Sequence, residues 1–116
     1  MTPQTFHVKR WQWDKTLSEA AIIRQMEMEG LDTQRWKNVS GTRHQTQKYE
    51  FDKVILVMRG SIMFRIPETG EEVALNPGDR LELPAGTPHE AIVGPMGVVC
   101  LEGHRKPLID PGSTTF

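Results

Sequence analysis

A chain of 116 residues has the size of one domain, and its 37% hydrophobic and 25% charged residues are ordinary for a soluble globular protein. Fourteen basic against fifteen acidic side chains leave a net charge of −1, without the positive surplus by which nucleic-acid binders displace counterions, so nucleic acid is not an expected partner. No apolar run approaches the roughly 18 residues of a membrane span, the N-terminus lacks the apolar core of a secretory leader, and the lone cysteine, Cys100, cannot close an internal disulfide. Together these point to a cytoplasmic protein without a membrane partner.

Phe6 to Lys9 has weak strand character. The first well-signalled element is a helix over Leu17 to Glu29: Thr16 is the candidate N-cap, Glu19 three residues later completes a capping box, and Gly30 ends the run. Its apolar residues divide between two sides, Leu17, Ala21 and Met28 against Ile22 and Met26, which predicts a helix covered twice. Arg35 to Val39 is a second weak strand that, with Phe6 to Lys9, belongs at a sheet edge.

From there the pattern changes to short runs separated by turn residues. Strands are predicted over Val54 to Met58, Ser61 to Ile66, Glu71 to Leu75, Arg80 to Leu83, His89 to Val93 and Val98 to Glu102. Between them lie Gly60, Pro67-Glu68-Thr69-Gly70, Asn76-Pro77-Gly78-Asp79, Pro84-Ala85-Gly86-Thr87-Pro88 and Gly94-Pro95-Met96-Gly97. Strands recurring at such short, regular intervals are the signature of an all-β sandwich or barrel. There is no internal repeat and no linker, so a single domain over residues 1–116 is expected, with a loose tail over 107–116.

Gly78, Pro84, Gly86 and His89 follow the spacing glycine, five residues, proline, one residue, glycine, two residues, histidine. This resembles the second motif of the cupins, whose further asparagine position is Val93 here. The first cupin motif is a glycine, five residues, His-x-His, three or four residues, glutamate, six residues and glycine. Gly41, Gln47, Tyr49, Lys53 and Gly60 reproduce its spacing. The resemblance covers roughly residues 31–102 and implies a double-stranded β-helix, or jelly-roll, barrel with an N-terminal arm and one short helix over 1–30. It also implies a homodimer, and the tryptophan-rich arm (Trp11, Trp13) and the apolar outer side of one strand (Val54, Leu56, Met58) give that a physical basis.

In the family the two histidines, the glutamate and the later histidine commonly bind a divalent metal. Here those positions are Gln47, Tyr49, Lys53 and His89, so only His89 is retained. Positions 47, 49 and 53 share strand parity, which would line one end of the barrel with them, and Ile55 and Val57 would continue the same side into the core. Glutamine offers a neutral oxygen and tyrosine holds its proton to about pH 10, so neither replaces an imidazole. An ammonium about 5 Å from a divalent cation is repelled by roughly 7 kcal/mol at an effective dielectric of about 20.

The expectation is therefore no metal cofactor. In its place the barrel would bind a small polar or anionic molecule through Gln47, Tyr49, Lys53 and His89. The alternative is a dioxygenase or isomerase with one divalent metal (Fe, Mn, Ni or Zn) on His89 and rearranged ligands, His44, Glu50, Glu90 and His104 being the remaining donors. A catalytically silent dimeric scaffold or regulatory protein is the third reading. For Lys53 the plain structural role is an ion pair with Glu82 or Glu102. Cys100 reads as a buried strand residue, and Trp36 as packing or a ligand platform.

Overall fold

The computed structural model describes residues 6–12 and 16–105; Trp13 and the predicted tail over 107–116 lie outside the described residues. In chain order the elements are β1 (His7–Lys9), α1 (Glu19–Met28), β2 (Leu31–Asn38), β3 (Arg43–Gln47), β4 (Asp52–Ile66), β5 (Glu71–Leu75), β6 (Arg80–Leu83) and β7 (His89–Arg105). All pairings are antiparallel, in the order β1-β6-β4-β7-β2, with β3 added to β7 and β5 to β4. The weak strands at Phe6 to Lys9 and Arg35 to Val39 lie at the two ends of this order, on β6 and β7 and not on one another.

Where four separate runs were predicted, the structure has two long strands. Val54 to Met58 and Ser61 to Ile66 merge into β4, and His89 to Val93 and Val98 to Glu102 merge into β7. The turn residues between them bend the strands without ending them. The β4–β7 register shifts between Val57 and Arg59 and again between Gly60 and Ile62, and such irregularities sharpen strand curvature. Gly60 has φ +73°, and a Cβ built there would lie 1.9 Å from the Gly97 carbonyl oxygen. The two paired strands thus run backbone to backbone in close contact at their bends.

Each long strand thereby serves both sides of the barrel: β4 pairs first with β6 and then with β5, and β7 first with β3 and then with β2. His89 and His104, near opposite ends of β7, both approach the Tyr49 ring, with centroids 5.8 and 6.3 Å away. A straight strand would separate them by about 50 Å. Folding back at the bends therefore brings both ends of the strand to one mouth. The interior below is apolar, with Ile55, Val57, Ile62, Leu75, Leu81 and Cys100 at most 1% exposed. Burial pushes the Cys100 thiol up to about 12, as suits an inert core cysteine.

The outer side of β4 is covered by the chain itself. Met26, with Ile22 and Ile23 beside it, packs α1 onto Leu31, Val54, Met58 and Leu101. Contrary to the two-sided expectation, α1 buries one face: Met26 is 1% exposed while Met28 is 78% exposed. The cap also moves. Ser18, not Thr16, is the N-cap, because its extended backbone lets Oγ accept the Ala21 N–H at 3.3 Å, and Glu19 accepts from Arg35 Nε instead of closing a capping box. At the other end Gly30 stands at φ +84°, and Glu29 pairs with Arg80 at 2.8 Å, tying the helix to β6. Buried Asp79 ties the N-terminal arm down by accepting from Arg10, the Trp11 amide and the Asn76 amide.

Two glycines at similar positive φ separate strain from collision. Gly70→Ala, with nothing within 4 Å of the new Cβ, is expected to cost about 1 kcal/mol. Gly60→Ala forces the paired β4 and β7 backbones apart at the bend, and a loss of more than about 2 kcal/mol in denaturant unfolding is expected; equal losses for the two variants would refute the close approach.

Candidate functional site

The four residues expected to line one end of the barrel do converge, though not by a shared strand. β3 ends at Gln47, residues 48–51 form an irregular connection, and β4 begins at Asp52. Strand parity therefore does not join positions 47 and 53 and begins only at Lys53, continuing through Ile55 and Val57. Tyr49 makes the convergence instead. Its hydroxyl donates to Gln47 Oε1, its ring faces His89, and the Lys53 ammonium lies 4.6 Å from the ring centroid. The attraction of a cation to the ring face holds this arrangement. Gln47 is exposed, Tyr49 half-buried, and Lys53 and His89 are buried at 8% and 5% exposure.

Lys53 is not a free cation. Its Nζ lies 3.2 Å from Glu102 Oε1, the second of the two ion pairs the sequence allowed. Glu82, on the neighbouring strand, pairs with Arg80 instead. Glu102 also accepts from Trp36 Nε1 at 3.1 Å, and His104 Nε2 lies 2.7 Å from its other oxygen, a contact that needs the His104 proton on that nitrogen. One carboxylate thus gathers an ammonium, an indole and an imidazole.

His89 opens β7, and the Pro84 to Pro88 corner delivers it to the mouth. Its Nδ1 meets the Thr87 carbonyl at 2.9 Å, so the proton belongs on Nδ1 and Nε2 is left as an acceptor. Burial holds its pKa below the ordinary 6.5, against the Thr87 hydrogen bond and with help from Lys53. At neutral pH the ring is uncharged. Burial, with Glu102 second, raises the Tyr49 phenol above 10, so it keeps its proton. Phe51, stacked on Tyr49 and 4.2 Å from the His104 ring, and Phe64 near His89 add aromatic walls.

This donor set does not fit a divalent metal. The first-motif positions hold an exposed amide engaged by Tyr49, a phenol that keeps its proton, and an ammonium. Among the described residues no three His, Cys, Asp or Glu side chains are grouped to hold an ion. The alternative donors are already engaged by other side chains: His44 Nε2 bonds Asn38 at 2.7 Å, Glu90 pairs with Arg65, and His104 serves Glu102.

An antiparallel barrel of two bent long strands, a glycine-proline corner before an inward histidine, and polar groups gathered at one mouth together define the architecture. It is a cupin fold. A cupin superfamily protein from Desulfitobacterium hafniense is 14% identical over 92% of this chain and 83% of its own, with a TM-score of 0.60. An RmlC-like cupin from Shewanella frigidimarina is 18% identical over 68% of each chain, with a TM-score of 0.59. The DMSP lyase DddQ from Ruegeria pomeroyi is 20% identical over 70% of this chain and 41% of its own, with a TM-score of 0.62. No protein-family model matches the sequence, and no curated protein is significantly similar to it. Among the described residues no helix is long and apolar enough to cross a membrane.

Within this cupin fold the residues missed by motif reading are Glu102, His104 and Trp36. Glu102 had a signal only as one of two acids that could satisfy Lys53. His104 and Trp36 lie outside both motifs, and only strand pairing brings them in.

The depressed pKa of His89 gives a pH signature. Between the folded and unfolded values the unfolded chain binds the extra proton, so stability is intact above about pH 6.5 and falls as pH drops below it. His89→Gln is expected to flatten this acid-side loss in urea unfolding between pH 7 and 5, leaving the share of His44, which burial also lowers. An unchanged slope would show that His89 is not held neutral.

Proposed function

We propose that this cupin-fold protein binds a small polar or anionic molecule at the barrel mouth without a metal, with His89 Nε2, the Tyr49 hydroxyl and the Gln47 amide as recognition groups. The observation that carries this reading is the Lys53–Glu102 pair, 3.2 Å apart at a metal-ligand position of the first motif. Where the family resemblance implies a bound ion, this chain holds a buried ion pair that is neutral as a unit, so recognition falls to the polar groups around it. His89 Nε2 accepts a donor from the ligand, Gln47 offers an amide to an acceptor, and Tyr49, Phe51 and His104 provide flat apolar surface for its body. This is recognition chemistry; no step of a reaction follows from it.

A thermal-shift screen of small metabolites tests the proposal. Ligands that stabilise the protein are expected to lose that effect in His89→Ala and to lose part of it in Lys53→Ala, both variants being checked for folding by circular dichroism. Hits unaffected by either substitution would place binding elsewhere. Near-stoichiometric iron, manganese, nickel or zinc in tag-free protein, lost with His89→Ala, would favour the metal-dependent enzyme instead.

The homodimer implied by the resemblance belongs to the same proposal, although α1 already covers the outer side of β4 that had suggested a partner. Sedimentation at micromolar concentration is expected to give a dimer, and a monomer throughout would remove that part.

A further inference from the structure

The donors around Glu102 form a seat for a carboxylate. Lys53 Nζ and Trp36 Nε1 approach one oxygen at 3.2 and 3.1 Å, and His104 Nε2 approaches the other at 2.7 Å. They come from three strands, β4, β2 and β7, so the seat is fixed by the sheet and not by one flexible loop. The Lys53 and Glu102 side chains are only 10% and 15% exposed. Charge-assisted hydrogen bonds in such a place are strong, and a second anion must compete with Glu102 for the ammonium, indole and imidazole that already hold it.

We propose that Glu102 determines which ligands the mouth accepts, by occupying in cis the seat that a ligand carboxylate would take. With Glu102 present the buried pair is neutral as a unit and the mouth selects uncharged polar molecules. With Glu102 removed, Lys53, Trp36 and His104 become a receptor for a small carboxylate. The inference rests on the barrel mouth being the ligand site, and it narrows the ligand class from polar or anionic to neutral polar.

Acetate is the probe, compared with chloride at constant ionic strength, because it matches the carboxylate end of a glutamate side chain. Wild type, Glu102→Ala and Glu102→Ala/Lys53→Met are compared by thermal unfolding and by NMR line broadening of acetate. Acetate is expected to bind Glu102→Ala at least about tenfold more tightly than wild type, a difference of about 1.4 kcal/mol, and to lose that gain in the double variant. Three results overturn the proposal: equal acetate binding by wild type, a folded Glu102→Ala with no acetate response, or a response that survives Lys53→Met. If Glu102→Ala does not fold, Glu102→Ser, which leaves a small polar group facing the ammonium, is judged by the same criteria. If neither folds, recovery of the folded state by acetate but not chloride supports the seat, and lack of recovery overturns it. The acetate comparison does not depend on the outcome of the metabolite screen. A failed seat beside metabolite hits that need His89 refutes only the role of Glu102, whereas a working seat with no such hits refutes only the broader binding proposal.

Discussion

An ammonium and a carboxylate 3.2 Å apart attract one another by about 5 kcal/mol at an effective dielectric of about 20, and burial takes several kcal/mol of hydration from each. The two effects are comparable, so such a pair persists only where its remaining hydrogen-bonding capacity is also satisfied. Trp36 and His104 do this for Glu102, and the Tyr49 ring face does it for Lys53. Among the described residues no buried side-chain polar atom is left without a partner. The arrangement of the mouth follows from this need: each aromatic or imidazole group around the pair is a donor, a ring face or a wall.

The pair also depends on strand register. Lys53 on β4 stands opposite His104 on β7, and Ile55 stands opposite Glu102, so Lys53 and Glu102 are diagonal neighbours on the interior face. Long side chains bridge that diagonal readily. A slip of one residue would turn one partner outward and leave a buried charge alone. Apolar Ile55 and Val57 below Lys53 resist such a slip. The bends at Gly60 and around Gly97 complete the geometry, because they return the start of β7, and His89 with it, to the mouth where its other end already lies.

Much of the fold was legible because turn chemistry is local. Glycines and prolines at fixed intervals marked the strands, and the glycine-proline framework of both motifs marked the barrel. What was not legible depended on tertiary context. Gly60 and the Gly94 to Gly97 segment read as strand ends, yet each becomes a bend when a neighbouring long strand continues the pairing through it. Thr16 with Glu19 satisfies the capping pattern, but Ser18 is nearer the first helical turn and Arg35 claims the glutamate. In the site, the motif located Gln47, Tyr49, Lys53 and His89 correctly as neighbours, while the parity argument that joined three of them was wrong. Glu102, His104 and Trp36 carry no spacing signal, because their place at the mouth is set by pairing across β2, β4 and β7.

A lysine at position 53 ties the polar residues of the mouth to one another. A lysine introduced into a site of histidine ligands would place its charge against the metal, and without the metal it would be an unpaired buried cation. A carboxylate within reach removes that penalty, and the diagonal position on β7 is such a place. Once Glu102 and Lys53 are paired, imidazoles at the first two ligand positions would have no cation to bind. A glutamine and a tyrosine at those positions lose nothing by it, and the tyrosine ring stabilises the ammonium. His89 stays compatible with either state, because the Thr87 carbonyl fixes its tautomer without help from a metal. The glycines and prolines of the two motifs shape the barrel, while Gln47, Tyr49, Lys53 and Glu102 form one mutually dependent electrostatic set at its mouth.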